Sequence, residues 1–460
     1  METYDAIVIG TGQSGPALAV RLARSGRKTA IIERKLFGGT CVNVGCIPTK
    51  TLIASARAAH VARHAADYGV LIEGGVRVDM QKVKARKDAV VRDSTQGVAN
   101  WLRGTPNLTV IEGHARFTGP YTVAVDDGHR QMLASEIFIN VGGRATVPDI
   151  PGLAEVDYLT NSSMMGVDFL PPHLLIIGGS YVGLEFAQMY RRFGSQVTVL
   201  ENGPRLIGRE DAEVSAAVQA ILENEGIVVS CNVQSLRAAR RGKDVILSYG
   251  EQGQGQEVAG SHLLLAVGRV PNTHDLGLDK AGIATDARGY ITVDEELHTN
   301  VSGIWATGDV NGRGAFTHTS YNDYEIIAAN LLGQGNRKLS DRIPAYALFT
   351  DPPLGRIGMS EHEARATGRK LLSAKMKMTR VGRARERGET QGFMSILVDA
   401  DSKKILGATL LGIEGDEAIH CILDMMYAGA PYTTLQRAMH IHPTVCELIP
   451  TLLGELKPLE

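Results

Sequence analysis

One unit occurs twice in the chain and constrains its fold more than any other feature. In the first copy, an apolar run over residues 5–9 is followed by Gly10, Gly12 and Gly15, then by a helix-like segment and a second apolar run that ends in Glu33. This order is typical of a strand, a tight glycine turn, a helix and a strand that bind a dinucleotide, with the acid at a ribose hydroxyl. It predicts a Rossmann-like α/β domain.

The second copy follows the same order further along the chain. An apolar run over residues 174–177 leads into Gly178 and Gly183, and a later apolar run ends in Glu201. The first glycine and the acid are equally far apart in the two copies. Ser180 stands at the position of the middle glycine, so we expect a slightly weaker approach to the phosphates. Two such sites suggest two different dinucleotides, and hence electron transfer between them.

Cys41 and Cys46 lie in a stretch that also contains Gly45 and Pro48. In an uninterrupted helix they would be about 7.5 Å apart along the axis and diverge by roughly 140°. That geometry excludes a disulfide and favours two free thiols. However, a glycine and a proline can distort the turn and bring the sulfurs together. A disulfide across so short a loop stabilises little, which favours a redox pair over a structural bridge.

Composition excludes several classes of function. A chain of 460 residues suggests about three domains. The formal net charge of -2 gives no indication of nucleic acid or an acidic membrane as partner. No apolar run approaches the roughly 18 residues of a membrane span, and the N-terminus has no signal-peptide pattern. The odd count of 5 cysteines is not typical of a secreted disulfide framework, so we expect a cytoplasmic protein.

The last quarter of the chain has a different pattern. From about residue 342, strand-like and helix-like segments alternate and predict a separate α+β domain. Within it, the basic run over residues 380–387 is interpreted as a solvated loop, and helices are expected over residues 417–427 and 444–456. Before it, the polar run over residues 251–257 is interpreted as a hairpin loop.

A histidine and a carboxylate near the end of this domain suggest acid–base chemistry. His442 precedes a proline, and Glu447 follows five residues on. A carboxylate that orients an imidazole and raises its basicity gives an acid–base pair near neutral pH. His440 is interpreted as an ordinary surface or packed histidine. Cys446 is interpreted as a packed thiol, with a third reactive thiol as the alternative.

Together these motifs resemble those of the FAD-dependent pyridine nucleotide–disulfide oxidoreductases of class I. The resemblance covers essentially all 460 residues and depends on residues 38–50, both glycine units, residues 306–309 and the pattern from His442 to Glu447. It implies a homodimeric enzyme with two Rossmann-like domains and an α+β dimerisation domain. The implied domains are FAD-binding over 1–150 and 273–341, NAD(P)H-binding over 151–272, and dimerisation over 342–460.

The resemblance also implies roles for individual residues, and it implies no resident metal site. The cofactor-binding residues would be Gly10, Gly12, Gly15, Glu33, Thr40, Lys50, His114, Ala115, Gly178, Gly183, Glu201, Arg269, Gly308, Asp309 and Thr317. Cys46 resembles the thiol that faces the flavin, and Cys41 the thiol that faces the acceptor. Tyr181 resembles the ring that covers the flavin, and Lys50 pairs with Glu185 beside it. His442 and Glu447 would act on the partner subunit's cysteines.

The nucleotide and the acceptor are separate questions. Glu201 favours a ribose hydroxyl and repels a 2′-phosphate, which predicts NADH rather than NADPH, whereas nearby Arg205 has the opposite effect. Residues 48–52 and 316–325 resemble mercuric-reductase-like flavoproteins, including the reactive-chlorine-resistance group, but the chain lacks the terminal vicinal cysteines of mercuric reductases. We therefore expect a disulfide or metal-ion acceptor. Dihydrolipoamide dehydrogenase is the main alternative, and a non-catalytic flavoprotein that senses NADH is a weaker one.

Overall fold

A computed structural model of the protein describes residues 1–126, 128–250, 255–333 and 335–459. The first region is built on a largely parallel sheet. Its elements are β1 (Glu2–Ile9), α1 (Gly15–Arg24), β2 (Thr29–Glu33), α2 (Gly39–Asn43), α3 (Cys46–Arg63), α4 (Met80–Arg103), β3 (Leu108–Glu112), β4 (Ala115–Gly119), β5 (Thr122–Val125), β6 (Arg130–Ile139) and β7 (Gly143–Ala145). The sheet order is β3-β2-β1-β6-β5-β4. Ala6, Ile7 and Val8 of β1 are fully buried, as an apolar run in a central parallel strand should be.

The second region repeats this architecture. Its elements are β8 (Leu159–Thr160), β9 (His173–Ile177), α5 (Tyr181–Phe193), β10 (Gln196–Leu200), α6 (Ala212–Asn224), β11 (Val228–Ser230), β12 (Arg237–Arg241), β13 (Asp244–Tyr249), β14 (Gln256–Gly260) and β15 (His262–Leu265). A parallel sheet runs in the order β11-β10-β9-β15-β8, and β12-β13-β14 form an antiparallel sheet. Residues 251–254 of the predicted hairpin loop lie outside the described residues, but the strands that flank them, β13 and β14, pair antiparallel.

The chain then returns to the first region. The next elements are β16 (Arg269–Pro271), α7 (Leu278–Ala281), β17 (Ile304–Ala306) and α8 (Thr317–Leu332). Strand β17 pairs with β6 in parallel, so it extends the first sheet, and β16 pairs with β7. The domain boundaries stay a prediction, and this pairing favours the grouping of 273–341 with 1–150.

The C-terminal region is an antiparallel sheet flanked by short helices. Its elements are β18 (Ala345–Leu348), β19 (Leu354–Gly358), α9 (Glu361–Ala366), β20 (Leu371–Lys377), α10 (Gly382–Glu386), β21 (Phe393–Asp399), β22 (Ile405–Leu411), α11 (Gly415–Ala418), α12 (His420–Tyr427), α13 (Tyr432–Gln436), α14 (Ile449–Gly454) and β23 (Lys457–Pro458). Short 3₁₀ helices lie at Ala65–Tyr68, Leu153–Glu155, Ser163–Gly166, Gly308–Asn311, Leu339–Asp341, Met378–Arg380 and Cys446–Leu448. This layout confirms the predicted fold class, two Rossmann-like regions followed by an α+β region.

Three local predictions for the C-terminal region were wrong. The basic run over residues 380–387 is not a loop, because it contains α10, in which Ala384 is fully buried next to the equally buried Val381. Its basic side chains form surface ion pairs, such as Arg380 with Glu455 at 2.7 Å. The helix expected over 444–456 is a 3₁₀ turn followed by the short α14, and the one expected over 417–427 is interrupted at residue 419.

Within the part of the chain that the structure describes, no helix combines the length and the apolar character that crossing a membrane requires.

Candidate active site

The two glycine turns have the same construction. Gly10 has φ +102°, and a Cβ atom there would lie 2.3 Å from the carbonyl oxygen of Asn140. Gly178 has φ +112°, and a Cβ atom there would lie 2.4 Å from the carbonyl oxygen of Ala266. Each turn therefore tolerates only glycine at this position. In each case the neighbouring backbone belongs to the residue that follows a parallel strand.

The helices after both turns begin in close contact with them. A Cβ atom on Gly15 would lie 2.2 Å from the Gly10 carbonyl oxygen, and one on Gly183 would lie 2.0 Å from that of Gly178. Sequence reasoning missed Asn140, whose side-chain oxygen accepts from the Gly15 amide at 3.1 Å. Such tight packing brings the N-termini of α1 and α5 towards any ligand that lies at the turns.

The two acids sit at equivalent strand ends. Glu33 accepts hydrogen bonds from the amide and the hydroxyl of Thr11, at 2.9 and 2.6 Å. Glu201 accepts from the amides of Gly179 and Gly203, at 2.6 and 2.7 Å. Both carboxylates are thus fixed beside the glycine turns.

Arg205, which the sequence suggested would act against Glu201, is bonded to backbone carbonyl groups. Its guanidinium donates to the carbonyl oxygens of Gly208 and Glu210, at 3.2 and 3.1 Å. Arg209, which sequence reasoning missed, lines the same cavity as Glu201. An arginine other than the one expected therefore lines the cavity together with Glu201.

A cavity of about 2420 Å³ connects the two turns with the cysteines. The predicted site residues that line it are Gly10, Gly12, Glu33, Thr40, Cys41, Cys46, Lys50, His114, Ala115, Gly178, Tyr181, Glu185, Glu201, Arg269, Asp309 and Thr317. Gly15, Gly183 and Gly308 lie behind its wall, and His442 and Glu447 do not line it. Its volume and its two glycine turns, where the bare backbone leaves room for phosphates, fit two dinucleotides.

The helix that would have carried both cysteines is broken at Gly45. Helix α2 ends before it and α3 begins after it, and Gly45 has φ -127° and ψ -117°. A Cβ atom on Gly45 would lie 2.9 Å from the carbonyl oxygen of Thr40 and 3.2 Å from the Cα atom of Cys41. The distortion predicted from the glycine is therefore present, and it brings Cys46 back towards Cys41.

The two sulfurs share one hydroxyl group. Thr317 Oγ1 lies 3.1 Å from the sulfur of Cys41 and 3.1 Å from that of Cys46. Both cysteines are free thiols here, so their disulfide stays a prediction. The hydrogen bond from Cys41, with further help from Thr317 and the charge of Lys50, lowers the pKa of Cys46 to about 6, although burial acts against it. The same hydrogen bond and burial raise the pKa of Cys41, so Cys46 is the thiolate of the pair.

Lys50 joins the cysteine helix to the second glycine unit. It lies on α3, and its Nζ donates to both carboxylate oxygens of Glu185 on α5, at 3.0 and 2.8 Å. Glu185 is buried and also accepts from the amide of Phe349 at 3.2 Å. The predicted charge pair is thus formed at the wall of the cavity.

Tyr181 is held by a buried network that sequence reasoning missed. The hydroxyls of Tyr181 and Tyr346 both donate to the same oxygen of Glu210, each at 2.8 Å. Phe316 stacks on Tyr346 with ring centres 5.5 Å apart, and Tyr181 meets both rings edge-on. Burial raises the pKa of Tyr181. No local pattern could reveal these contacts, because the three rings and the acid come from distant parts of the chain.

Asp309 lies at a strand end, as predicted, and pairs with Arg269. Asp309 Oδ2 is 3.4 Å from Arg269 Nε, and both side chains line the cavity. Gly308, with φ +73°, donates its amide to Asp323 at 2.6 Å and sets the direction of this turn. A cation and an anion are therefore paired beside the first glycine turn.

His442 and Glu447 form the expected pair away from the cavity. His442 Nδ1 donates to Glu447 Oε2 at 2.6 Å, while the His442 side chain is 78% exposed. The carboxylate fixes Nδ1 as the protonated nitrogen and leaves Nε2 facing outwards. Cys446 is half-buried against the apolar core of the C-terminal region, as predicted, but it lies beside a second cysteine, Cys421, which sequence reasoning did not consider.

Comparisons with known proteins agree with this geometry. Residues 4–323 match the family described as pyridine nucleotide-disulphide oxidoreductase, and residues 344–453 match its dimerisation domain. The probable pyridine nucleotide-disulfide oxidoreductase RclA of Escherichia coli K12 is 36% identical over 99% of this chain and 100% of its own length. A solved Cu(II) complex of the HOCl-induced flavoprotein disulfide reductase RclA from Escherichia coli superposes with a TM-score of 0.90, at 35% identity and 99% coverage of both chains.

Two other relatives have the two activities that the sequence analysis compared, mercuric reductase and dihydrolipoamide dehydrogenase. A mercuric reductase of Streptomyces lividans is 35% identical over 97% of this chain and 94% of its own length. A dihydrolipoyl dehydrogenase of Thermus scotoductus is 33% identical over 97% of this chain and 96% of its own length. The chain therefore belongs to the pyridine nucleotide–disulfide oxidoreductase family, whose members are oxidoreductases that depend on FAD and NAD(P)H. The predicted family is confirmed, and the dimerisation domain supports a homodimer.

Proposed function

We propose that the protein passes electrons from NAD(P)H through FAD to the Cys41–Cys46 pair, and from there to a disulfide or metal-ion acceptor. The observation that carries this proposal is the position of the two sulfurs, which share the hydroxyl of Thr317 at 3.1 Å on the wall of the cavity. Two thiols so placed can interconvert with a disulfide without a large movement. The family match and the similarity to RclA support the same proposal.

The residues on the cavity wall fit the two cofactors. FAD would be held by the first glycine turn, Glu33 and Asp309, and the nicotinamide nucleotide by the second turn and Glu201. When bound, the flavin supplies two-electron chemistry between nicotinamide and dithiol. NADH is favoured, because Glu201 places a carboxylate where a 2′-phosphate would lie and Arg205 is bonded elsewhere, although Arg209 in the same cavity acts in the opposite direction.

The chain's own groups account for the reduction of a disulfide acceptor. Cys41 gives its proton to His442 of the partner subunit and attacks one sulfur of the acceptor, which releases a first thiolate. The Cys46 thiolate then attacks the Cys41 sulfur, so that the protein disulfide forms and a second thiolate leaves. For a soft metal ion, the same two thiolates would serve as ligands before electron transfer.

Anaerobic oxidation of NADH with lipoamide, oxidised glutathione, Hg(II) and Cu(II) in parallel tests the proposal. We expect turnover with at least one acceptor, and its loss in Cys41→Ser. If Cys41→Ser and His442→Ala kept full acceptor reduction, the dithiol mechanism would be wrong and a flavoprotein that only senses NADH would be favoured. The free cysteines fit a reducing compartment, so we infer a cytoplasmic protein.

Dihydrolipoamide dehydrogenase activity is the second candidate. It is favoured by the 33% identical relative of that name and by the His442–Glu447 pair. In the same assay, fast turnover with lipoamide and no metal-dependent rate would select it over a mercuric-reductase-like activity.

A further inference from the structure

The C-terminal region contains a second pair of thiols. Cys421 lies in the first turn of α12, and Cys446 begins the 3₁₀ helix Cys446–Leu448. Their sulfurs approach the same carbonyl oxygen, that of Ala418, at 3.2 and 3.9 Å. The arrangement repeats that of the cavity cysteines, in which two sulfurs share one oxygen.

The two thiols of this second pair differ in how accessible they are to a small molecule. Cys446 lines a groove of about 320 Å³ together with Arg383 and Arg387, whereas Cys421 does not line it. The hydrogen bond from Cys421, aided by the charge of His440, lowers the pKa of Cys446 to about 7, although burial acts against it. The same hydrogen bond raises the pKa of Cys421. Cys446 is therefore the nucleophile, and Cys421 is the thiol behind it.

We propose that Cys421 and Cys446 are a second redox dithiol, which reacts with low-molecular-weight disulfides in the groove and closes to an intrachain disulfide. The Cys446 thiolate attacks the small disulfide, a mixed disulfide forms, and a first small thiolate leaves. Cys421 then gives its proton to the first small thiolate and attacks the Cys446 sulfur, which releases a second small thiolate that takes a proton from water. The protein dithiol is oxidised, and one small disulfide is reduced to two thiols.

This site lies next to the proposed acid–base pair but uses neither of its members. The carbonyl oxygen of Cys446 accepts from His440 Nδ1 at 2.7 Å, and Glu447 follows it in the chain. A bond between Cys421 and Cys446 would tie α12 to the segment that carries His442. The chemistry of this pair stands without the function proposed for Cys41 and Cys46.

The test uses the dimeric flavin-loaded protein with Cys41→Ser and Cys46→Ser, which leaves Cys231, Cys421 and Cys446 as its cysteines. After treatment with oxidised glutathione, we expect two of these thiols to be lost from each chain, no retained glutathione, and a cross-linked peptide that joins Cys421 to Cys446. Adding Cys231→Ser should leave this result unchanged. Adding Cys421→Ser should instead trap glutathione on Cys446.

Three outcomes would overturn the proposal. They are titratable thiols at both positions after treatment, stable glutathione on Cys446 while Cys421 is present, and a cross-link to Cys231 or between subunits. Because serine at a half-buried position could disturb folding, Cys421→Ala is made as a second variant, and it should trap the same adduct.

Discussion

Lys50 donates from one Nζ atom to both carboxylate oxygens of Glu185, at 3.0 and 2.8 Å. The two charges act on Cys46 with opposite sign, since the lysine lowers the pKa of that thiol and the glutamate raises it. One ion pair thus connects the helix of the second glycine unit to the reactivity of the cysteine pair.

Neutralising either partner should move the pKa of Cys46 in opposite directions. Lys50→Met leaves Glu185 uncompensated and should raise this pKa by about one unit, and Glu185→Gln should lower it by a similar amount. The thiolate fraction of the reduced enzyme falls as pH drops through about 6, so Lys50→Met should shift this midpoint upwards. Ultraviolet difference titration of the thiolate measures it.

The matched control for the ion pair is Lys82→Met, which removes an exposed lysine that pairs with Asp79 at 3.8 Å. It should leave the titration unchanged. A shift of the same sign in both Lys50→Met and Glu185→Gln would contradict an electrostatic role.

The Thr317 hydroxyl should also determine the acidity of Cys46. Thr317→Val removes the oxygen that both sulfurs share, and a hydrogen bond to a charged group contributes about 1.5–3 kcal/mol. We expect the pKa of Cys46 to rise by about one unit or more in the same titration. Thr317→Ser keeps the hydroxyl and should restore the midpoint, and a Thr317→Val titration that matches the parent would exclude this role.

The features that sequence could predict are those encoded over short distances. Both glycine units were recognisable because turn, helix and acid follow one another in order, and the break at Gly45 follows from a residue that lies between the cysteines. The contact of Tyr181 with Tyr346 through Glu210, and that of Cys421 with Cys446, join residues far apart in the chain. The spacing of apolar residues along the chain does not predict such contacts, since they depend on how separate regions pack.

Helix α10 is a second feature that the sequence alone did not predict, for the same reason. The run over residues 380–387 is basic and contains glycine, which is typical of a loop, but Val381 and Ala384 are fully buried in the C-terminal core. Tertiary burial of two small apolar residues therefore outweighs the local preference of their charged neighbours.

Gly45 should be required for stability in a way that Gly97 is not. A Cβ atom on Gly45 would meet backbone at 2.9 Å, whereas nothing lies within 4 Å of one on Gly97 in α4. We expect Gly45→Ala to lower the free energy of unfolding by about 1–3 kcal/mol and Gly97→Ala to raise it by about 0.5–1 kcal/mol. Denaturant titration of both variants measures this, and equal effects would show that the turn relaxes.

Replacing the two tyrosines on Glu210 should have different effects on the binding of nicotinamide. If the Tyr181 ring moves aside for the nucleotide, Tyr181→Phe removes a hydrogen bond that resists the movement, and KM for NADH should fall by up to about tenfold. Tyr346→Phe leaves Tyr181 as the remaining tyrosine donor to that oxygen, so KM should stay unchanged or rise. Steady-state kinetics on both variants measure this, and a higher KM for Tyr181→Phe would count against a moving ring.

Hybrid dimers should reveal whether His442 acts on the partner subunit. His442 is 78% exposed and does not line the cavity that contains Cys41 and Cys46. A Cys41→Ser subunit paired with a His442→Ala subunit has one complete site only if the histidine reaches across the dimer. Mixing the two inactive dimers, with subunit exchange, should then restore about a quarter of the parent activity, because half of the dimers are hybrids with one intact site. A mixture that stays inactive although hybrids form would place the histidine's action within its own subunit. Arg437→Ala, on the same surface segment, is the matched control, and its dimers should keep the parent activity without mixing.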